Sequence, residues 1–165
     1  MSYKVITIAQ QKGGIGKTTI AAHLAIAFIK ENFNVALIDL DPQMSLKQWF
    51  DKRKTALGEE SRSLSCSTVS GWQLHNAIDA CQNADVIIVD TAPNMEAEMH
   101  TAMKEADLVI IPVEPPAEVS ALEATIAVAE KVRVPHRILL NRVVSQSNVA
   151  EEFGEKFSHV LTAKL

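Results

Sequence analysis

At 165 residues, 47% of them apolar, the chain is long enough for one domain around one core, and its ordinary charge density excludes a disordered polypeptide. A formal net charge of −4 excludes a uniformly basic nucleic-acid binder, so any contact with DNA has to come from a local basic patch. No apolar run approaches the roughly 20 residues of a membrane span, and Met1 to Ala9 lacks the features of a secretion signal, which points to the cytoplasm.

Strand and helix patterns alternate along the chain. Tyr3 to Ala9 is β-rich, and Thr18 to Lys30 is alanine-rich with Ile20, Leu24, Ala27 and Phe28 at helical spacing. Val35 to Asp39 is a short apolar run ending on an acid. Ser45 to Arg53 reads as a helix with Leu46, Trp49 and Phe50 on one face, and the polar stretch Lys54 to Ser63 as a surface loop. Leu64 to Val69 is a weak strand, Trp72 to Cys81 a helix, and Val86 to Asp90 a second apolar run closed by an acid. Glu96 to Ala106 is helical, Leu108 to Val113 a strand, Val119 to Lys131 a helix and Arg137 to Asn141 a strand. Val149 to Phe157 reads as a helix, and a last strand begins at Val160.

The runs Val86–Val89 and Leu108–Ile111 are continuously apolar rather than alternating, the signature of strands covered on both faces. Joined by helices they must be mostly parallel with right-handed crossovers, which predicts a doubly wound α/β sandwich, read here as a single domain over 1–165. Ligands of such sheets sit at the carboxyl ends of the strands. The two cysteines, Cys66 and Cys81, are too far apart in sequence for a C-x-x-C pair and read as reduced, semi-buried thiols.

Between the first strand and the first helix lies Gln10-Gln11-Lys12-Gly13-Gly14-Ile15-Gly16-Lys17-Thr18-Thr19. Glycines let a backbone aim successive N–H groups at phosphate oxygens, and the helix start adds its positive dipole end. In such a loop Lys17 reaches the β- and γ-phosphates and the Thr18 hydroxyl ligates magnesium. The usual pattern G-x-x-x-x-G-K-[ST] fails at Gln11, and a second lysine, Lys12, opens the loop instead. This K-G-G-x-G-K-T-T form resembles the deviant Walker A motif of the ParA/MinD superfamily, and the Gln-Lys-Gly-Gly start is more similar to its partition branch. The resemblance runs from Val5 to about Leu165. It implies ATP and Mg2+ as ligands, with residues Lys12, Gly13, Gly14, Ile15, Gly16, Lys17, Thr18 and Thr19 around the phosphates.

Asp39 and Asp41, two apart on an extended segment, point to one side. Beside a magnesium triphosphate, Asp39 holds a metal-bound water and Asp41 orients the attacking water; the D-x-D-P-Q form resembles the family's first switch segment. Asp90, closing an apolar strand before Thr91-Ala92-Pro93, reads as the second magnesium-side acid. The pair Asn141-Arg142 follows a strand where the resembling proteins place the nucleotide base. An Asn amide there pairs with adenine, and Ser145 and its neighbours supply no guanine-reading acid. Alternatively, Asn141 only makes a turn. Pro112-Val113-Glu114-Pro115-Pro116 resembles a proline segment near the nucleotide in small ParA proteins, or is a rigid strand-to-helix connection.

Lys12 has no evident task within its own subunit. The resemblance implies that it crosses onto a partner's ATP, giving a homodimer closed by the γ-phosphate and opened by hydrolysis. The expected function is therefore a ParA-like ATPase switch for partition or cargo positioning, stimulated by a partner protein and using nonspecific DNA as its track. A MinD-like membrane-recruited switch is the first alternative, but Glu151, Glu152 and Glu155 make the polar face of the Val149–Phe157 helix acidic, which anionic lipid repels. A metal-cluster carrier needs paired interface cysteines, which Cys66 and Cys81 do not resemble, and a scaffold without turnover does not need Lys12, Lys17, Asp41 and Asp90. Relatives continue past the equivalent of Leu165, so the chain is either a minimal member or truncated.

Overall fold

The apolar runs read from the sequence become the middle of one sheet. In a computed structural model, which describes residues 3–58, 63–114, 119–142 and 161–164, the strands are β1 (Lys4–Ile8), β2 (Val35–Asp39), β3 (Leu64–Thr68), β4 (Val86–Asp90), β5 (Leu108–Val113), β6 (His136–Leu140) and β7 (Leu161–Lys164). The helices are α1 (Lys17–Lys30), α2 (Ser45–Leu57), α3 (Leu74–Ala80), α4 (Glu96–Lys104) and α5 (Val119–Val132). The sheet order is β3-β2-β4-β1-β5-β6-β7, and every pairing among these strands is parallel.

The crossover rule then decides which helix covers which face. Connections from β1 to β2 and from β2 to β3 step toward one edge. Those from β3 to β4, β4 to β5 and β5 to β6 step toward the other. A constant right hand must place α1 and α2 on one face and α3, α4 and α5 on the opposite face. The core divides accordingly. Ile20, Ala21 and Ala25 of α1 and Leu46 and Phe50 of α2 pack with Ile6, Ile8, Leu37 and Ile88. On the other face, Leu74 and Ile78 of α3 meet Ile38, Ile87 and Val89, while α4 and α5 pack Met99, Met103, Leu122 and Ala129 on Val109, Ile111 and Ile138. Neighbouring residues of β4 thus face opposite layers, and Ile87, Ile88 and Val89 are all 0% exposed. Each such side chain contributes about 1.5–3 kcal/mol of burial, which is why the strand tolerates no polar alternation.

Several element ends differ from the sequence expectation. α2 continues through Lys54 to Leu57, so the first part of the expected loop is helix, and Gly58 at φ 54 stops it. The expected Trp72–Cys81 helix splits into a 3-10 turn, Gly71–Gln73, and α3. A capping box formed by Ser70 and Gln73 holds the turn, and Trp72 is left 81% exposed. α4 ends at Lys104 rather than Ala106. The expected Val149–Phe157 helix, Ser145 and the pair Pro115-Pro116 lie outside the described residues. Among the described residues no helix is long and apolar enough to cross a membrane.

Candidate nucleotide-binding site

The parallel register sets the carboxyl ends of β1, β2 and β4 level: Ile8 pairs with Asp90, and Asp39 pairs with Asp90. The loop leaving β1 and the two acids therefore meet at one rim by topology alone. The loop turns on Gly14 at φ 77 and Gly16 at φ 88, conformations that other residues adopt only at a cost. Gly16 is required a second time: a Cβ there would lie 2.7 Å from the Asn141 Nδ2. α1 starts directly after it, with the Ile20 N–H donating to the Gly16 carbonyl at 2.9 Å. No acidic residue occupies the first turn of α1, so its positive end is free for an anion.

Lys17 lies under this loop, 7% exposed, and its Nζ donates to the Lys12 carbonyl at 3.2 Å. Burial holds its ammonium below the usual lysine range, against the opposing pull of Asp90 and Asp41. A phosphate beside it would favour the charged form that burial disfavours. The Thr18 hydroxyl donates to Asp90 Oδ2 at 2.6 Å. Asp90 is 1% exposed, and burial pushes its carboxyl up to about 7 even with that hydrogen bond. Its other oxygen, Oδ1, is buried with no hydrogen-bond partner. An unpaired carboxylate oxygen beside a hydroxyl is a hard-oxygen pair that fits magnesium, whose remaining positions are usually water and phosphate oxygens. Thr18 and Asp90 are the side chains that would hold it.

Asp39 and Asp41 have different surroundings. Asp39 is 0% exposed; its Oδ1 accepts the Asp41 N–H and its Oδ2 the Lys47 N–H, each at 3.0 Å. Burial raises its carboxyl above the usual range while these amides oppose the rise. Both oxygens thus already brace the turn that presents Asp41, a task the sequence reading did not give it. Asp41 itself is half-buried and caps the Gln43 N–H at 2.8 Å. Lys12 is exposed.

Asn141 reaches the loop from β6. Its amide donates to the Ile15 carbonyl at 2.8 Å and its oxygen accepts the Arg142 N–H at 3.0 Å. Arg142 pairs with Glu114 at 3.1 Å, which joins the end of β6 to the end of β5 and to the proline segment. Beside Asn141 and Thr19, a mostly apolar cleft of about 640 Å³ opens between α1 and β5–β6, with Ile20, Leu24, Ile110 and Leu139 on its walls. Gln10, 3% exposed, and Thr125, 0% exposed, were not singled out from the sequence; they share a hydrogen bond across 115 residues, a separation that no local pattern reveals. The Cys66 thiol is pushed up to about 12 by burial, which disfavours the thiolate that metal or redox chemistry needs.

The family model described as "CobQ/CobB/MinD/ParA nucleotide binding domain" matches residues 6–160. The chain belongs to this family. Within the CobQ/CobB/MinD/ParA family its curated relatives include the "Maintenance of carboxysome distribution protein A" of Gloeobacter kilaueensis, 30% identical over 87% of this chain and 65% of that one. "Protein ParA" of Rhizobium radiobacter is 32% identical over 74% of this chain and 52% of its own length. The chain thus spans about half to two-thirds of the length of these relatives. A plasmid partition protein from Borrelia burgdorferi superposes with a TM-score of 0.81 at 21% identity, covering 100% of this chain and 90% of that one. A cobyrinic acid a,c-diamide synthase from Mycobacterium smegmatis, with bound ATP analog and magnesium, gives 0.79 at 19% identity over 96% and 82%. These structures share the fold, a mostly parallel P-loop sandwich.

Proposed function

We propose that this chain is a magnesium-dependent ATPase switch of the partition or cargo-positioning kind, and that ATP closes it into a homodimer. The Thr18–Asp90 pair, with its orphaned buried oxygen under a glycine loop, is the main support. The names of its relatives point to partition and carboxysome distribution rather than to diamide synthesis.

Phosphoryl transfer is governed by positioning and charge neutralisation. Loop amides from Gly13 to Thr19 and the buried Lys17 ammonium bind the phosphates. Thr18 and Asp90 would hold magnesium, which would supply positive charge against the phosphate oxygens. Asp41, held out by Asp39, orients the attacking water. Asn141 and the apolar cleft receive the adenine, with Arg142 locked beside them by Glu114. Lys12, which is exposed, completes the charge balance on the ATP of a second copy. Turnover is slow alone and is raised by a partner protein, and nonspecific DNA serves as the track.

Calorimetry with Mg·ATP, phosphate release and DNA binding across a salt series test the reading together. Expected are uptake of Mg·ATP, slow phosphate release, and DNA binding that needs ATP, ignores sequence and weakens with salt. Absence of Mg·ATP uptake overturns the whole reading. Absence of DNA binding at low salt leaves a DNA-independent cargo switch.

A further inference from the structure

Gln10 carries the apolar run of β1 into the phosphate loop. Its side-chain oxygen accepts two hydrogen bonds, from the Gln11 N–H at 2.8 Å and from the Thr125 hydroxyl of α5 at 2.8 Å. A backbone N–H can only donate, so the atom it meets is the amide oxygen and not the nitrogen. The carbonyl of Gln11 in turn accepts the N–H of Asn94 at 3.1 Å. Asn94 sits at φ 58 in the segment that follows Asp90. Gln11 is therefore gripped at both its N–H and its C=O, by α5 through Gln10 on one side and by the Asp90 segment on the other. The next residue is Lys12, whose carbonyl Lys17 holds.

We propose that Thr125 is a positioning residue: through Gln10 it fixes the root of the phosphate loop to α5, and so sets the direction in which Lys12 leaves the loop. The catalytic part of this inference rests on the ATPase reading above. The link is also releasable. The Thr125 hydroxyl has one proton and two acceptors, Gln10 Oε1 at 2.8 Å and the Ala121 carbonyl one turn back at 2.9 Å. Turning to Ala121 leaves the hydroxyl satisfied, as threonine in a helix commonly is, and leaves Gln10 bonded to Gln11 alone. A small movement of α5 can thus free the loop root without stranding a buried donor.

Thr125→Val keeps the side-chain shape and removes the hydroxyl, whereas Thr125→Ser keeps the hydroxyl. Amide hydrogen exchange, ATP affinity and ATP turnover of the intact chain are compared. The expected result for Thr125→Val is exchange raised about tenfold at the Gln11 and Asn94 amides, whose hydrogen bonds hold the loop root, with β1 and β5 unchanged. ATP affinity stays within about threefold, and turnover falls about five- to tenfold, in line with losing one buried hydrogen bond. Thr125→Ser behaves as the parent. Gln10→Met removes the acceptor and with it the Gln11 N–H bond as well, so the double variant is no worse than Gln10→Met alone, in which the Thr125 link is already cut. Unchanged exchange at the loop overturns the proposal, as does a rise spread equally over β1, β5 and α5, or a serine variant as impaired as the valine. If the parent shows no ATP turnover but exchange responds as stated, the relay stands and the ATPase reading falls.

Discussion

Asp90 is asked to be two incompatible things, a buried group and an anion. Without nucleotide its folded-state carboxyl titrates at about 7, far above the ordinary 3.8, because desolvation outweighs the Thr18 hydroxyl bond. The folded state therefore holds this proton more tightly than the unfolded chain does. The resulting stability is fully present below about pH 4 and is lost as pH rises toward 7. Asp90→Asn removes the ionisation. We expect nucleotide-free Asp90→Asn to be more stable than the parent near pH 7, by at most ~4 kcal/mol for a shift of this size, with the difference shrinking toward pH 4. Urea unfolding across that range measures it. Mg·ATP uptake by the same variant falls, so the two readouts move in opposite directions. Gly16 shows a different residue-scale conflict, since its φ of 88 strains any side chain and an added Cβ would have to displace the Asn141 amide, 2.7 Å away, from its bond to Ile15. Gly16→Ala is expected to lose at least ~1 kcal/mol of stability and about tenfold or more in ATP affinity by calorimetry. Adding Asn141→Ala relieves only the steric part, so the double variant stays impaired.

At the scale of elements, burial decided what could be read. Val35–Asp39, Val86–Asp90 and Leu108–Val113 have the bounds expected from the sequence, because strands buried on both faces stand out as apolar runs cut off by polar residues. Helix ends were less legible. α2 overran its expected end because nothing before Gly58 forces a stop, and the Trp72 region broke up because a capping box overrode its helical spacing. The Gln10–Thr125 bond joins elements 115 residues apart by topology, so sequence spacing carries no trace of it. The start of α2 holds a strained position: Met44, 45% exposed, precedes the helix in the left-handed region at φ 53 with no side-chain cap. A non-glycine residue there costs about 1 kcal/mol or more, and strain of this kind concentrates in segments that move. Met44→Gly is expected to raise stability by about 1 kcal/mol, read as a Tm increase of roughly 2–4 °C. If the Asp41 turn works by leaving that conformation, phosphate release by the variant changes even though Met44 touches no phosphate.

At the scale of the whole molecule, the two lysines of the loop stand in different surroundings. Lys17 is buried and Thr18 is bonded to Asp90, while Lys12 is exposed. On the proposed reading, buried Lys17 serves its own nucleotide and exposed Lys12 that of a second copy. Closure about a two-fold axis would bring each Lys12 to the other copy's phosphates, and the γ-phosphate would then hold the interface together. On the proposed dimer, Lys12→Ala and Asp41→Ala separate two steps. Lys12→Ala keeps its own loop amides and Lys17, so ATP affinity stays within about threefold, while ATP-dependent dimerisation and turnover fall about tenfold or more. Asp41→Ala keeps the cross-subunit lysine but leaves the water unoriented, so ATP-bound dimers accumulate. Light scattering with ATP and with ADP, beside a phosphate-release assay, distinguishes them: mostly monomer for the first variant, persistent dimer for the second. Dimerisation of Lys12→Ala equal to the parent's would return Lys12 to its own subunit and remove the sandwich from the mechanism, and full turnover by Asp41→Ala would hand the water to another group.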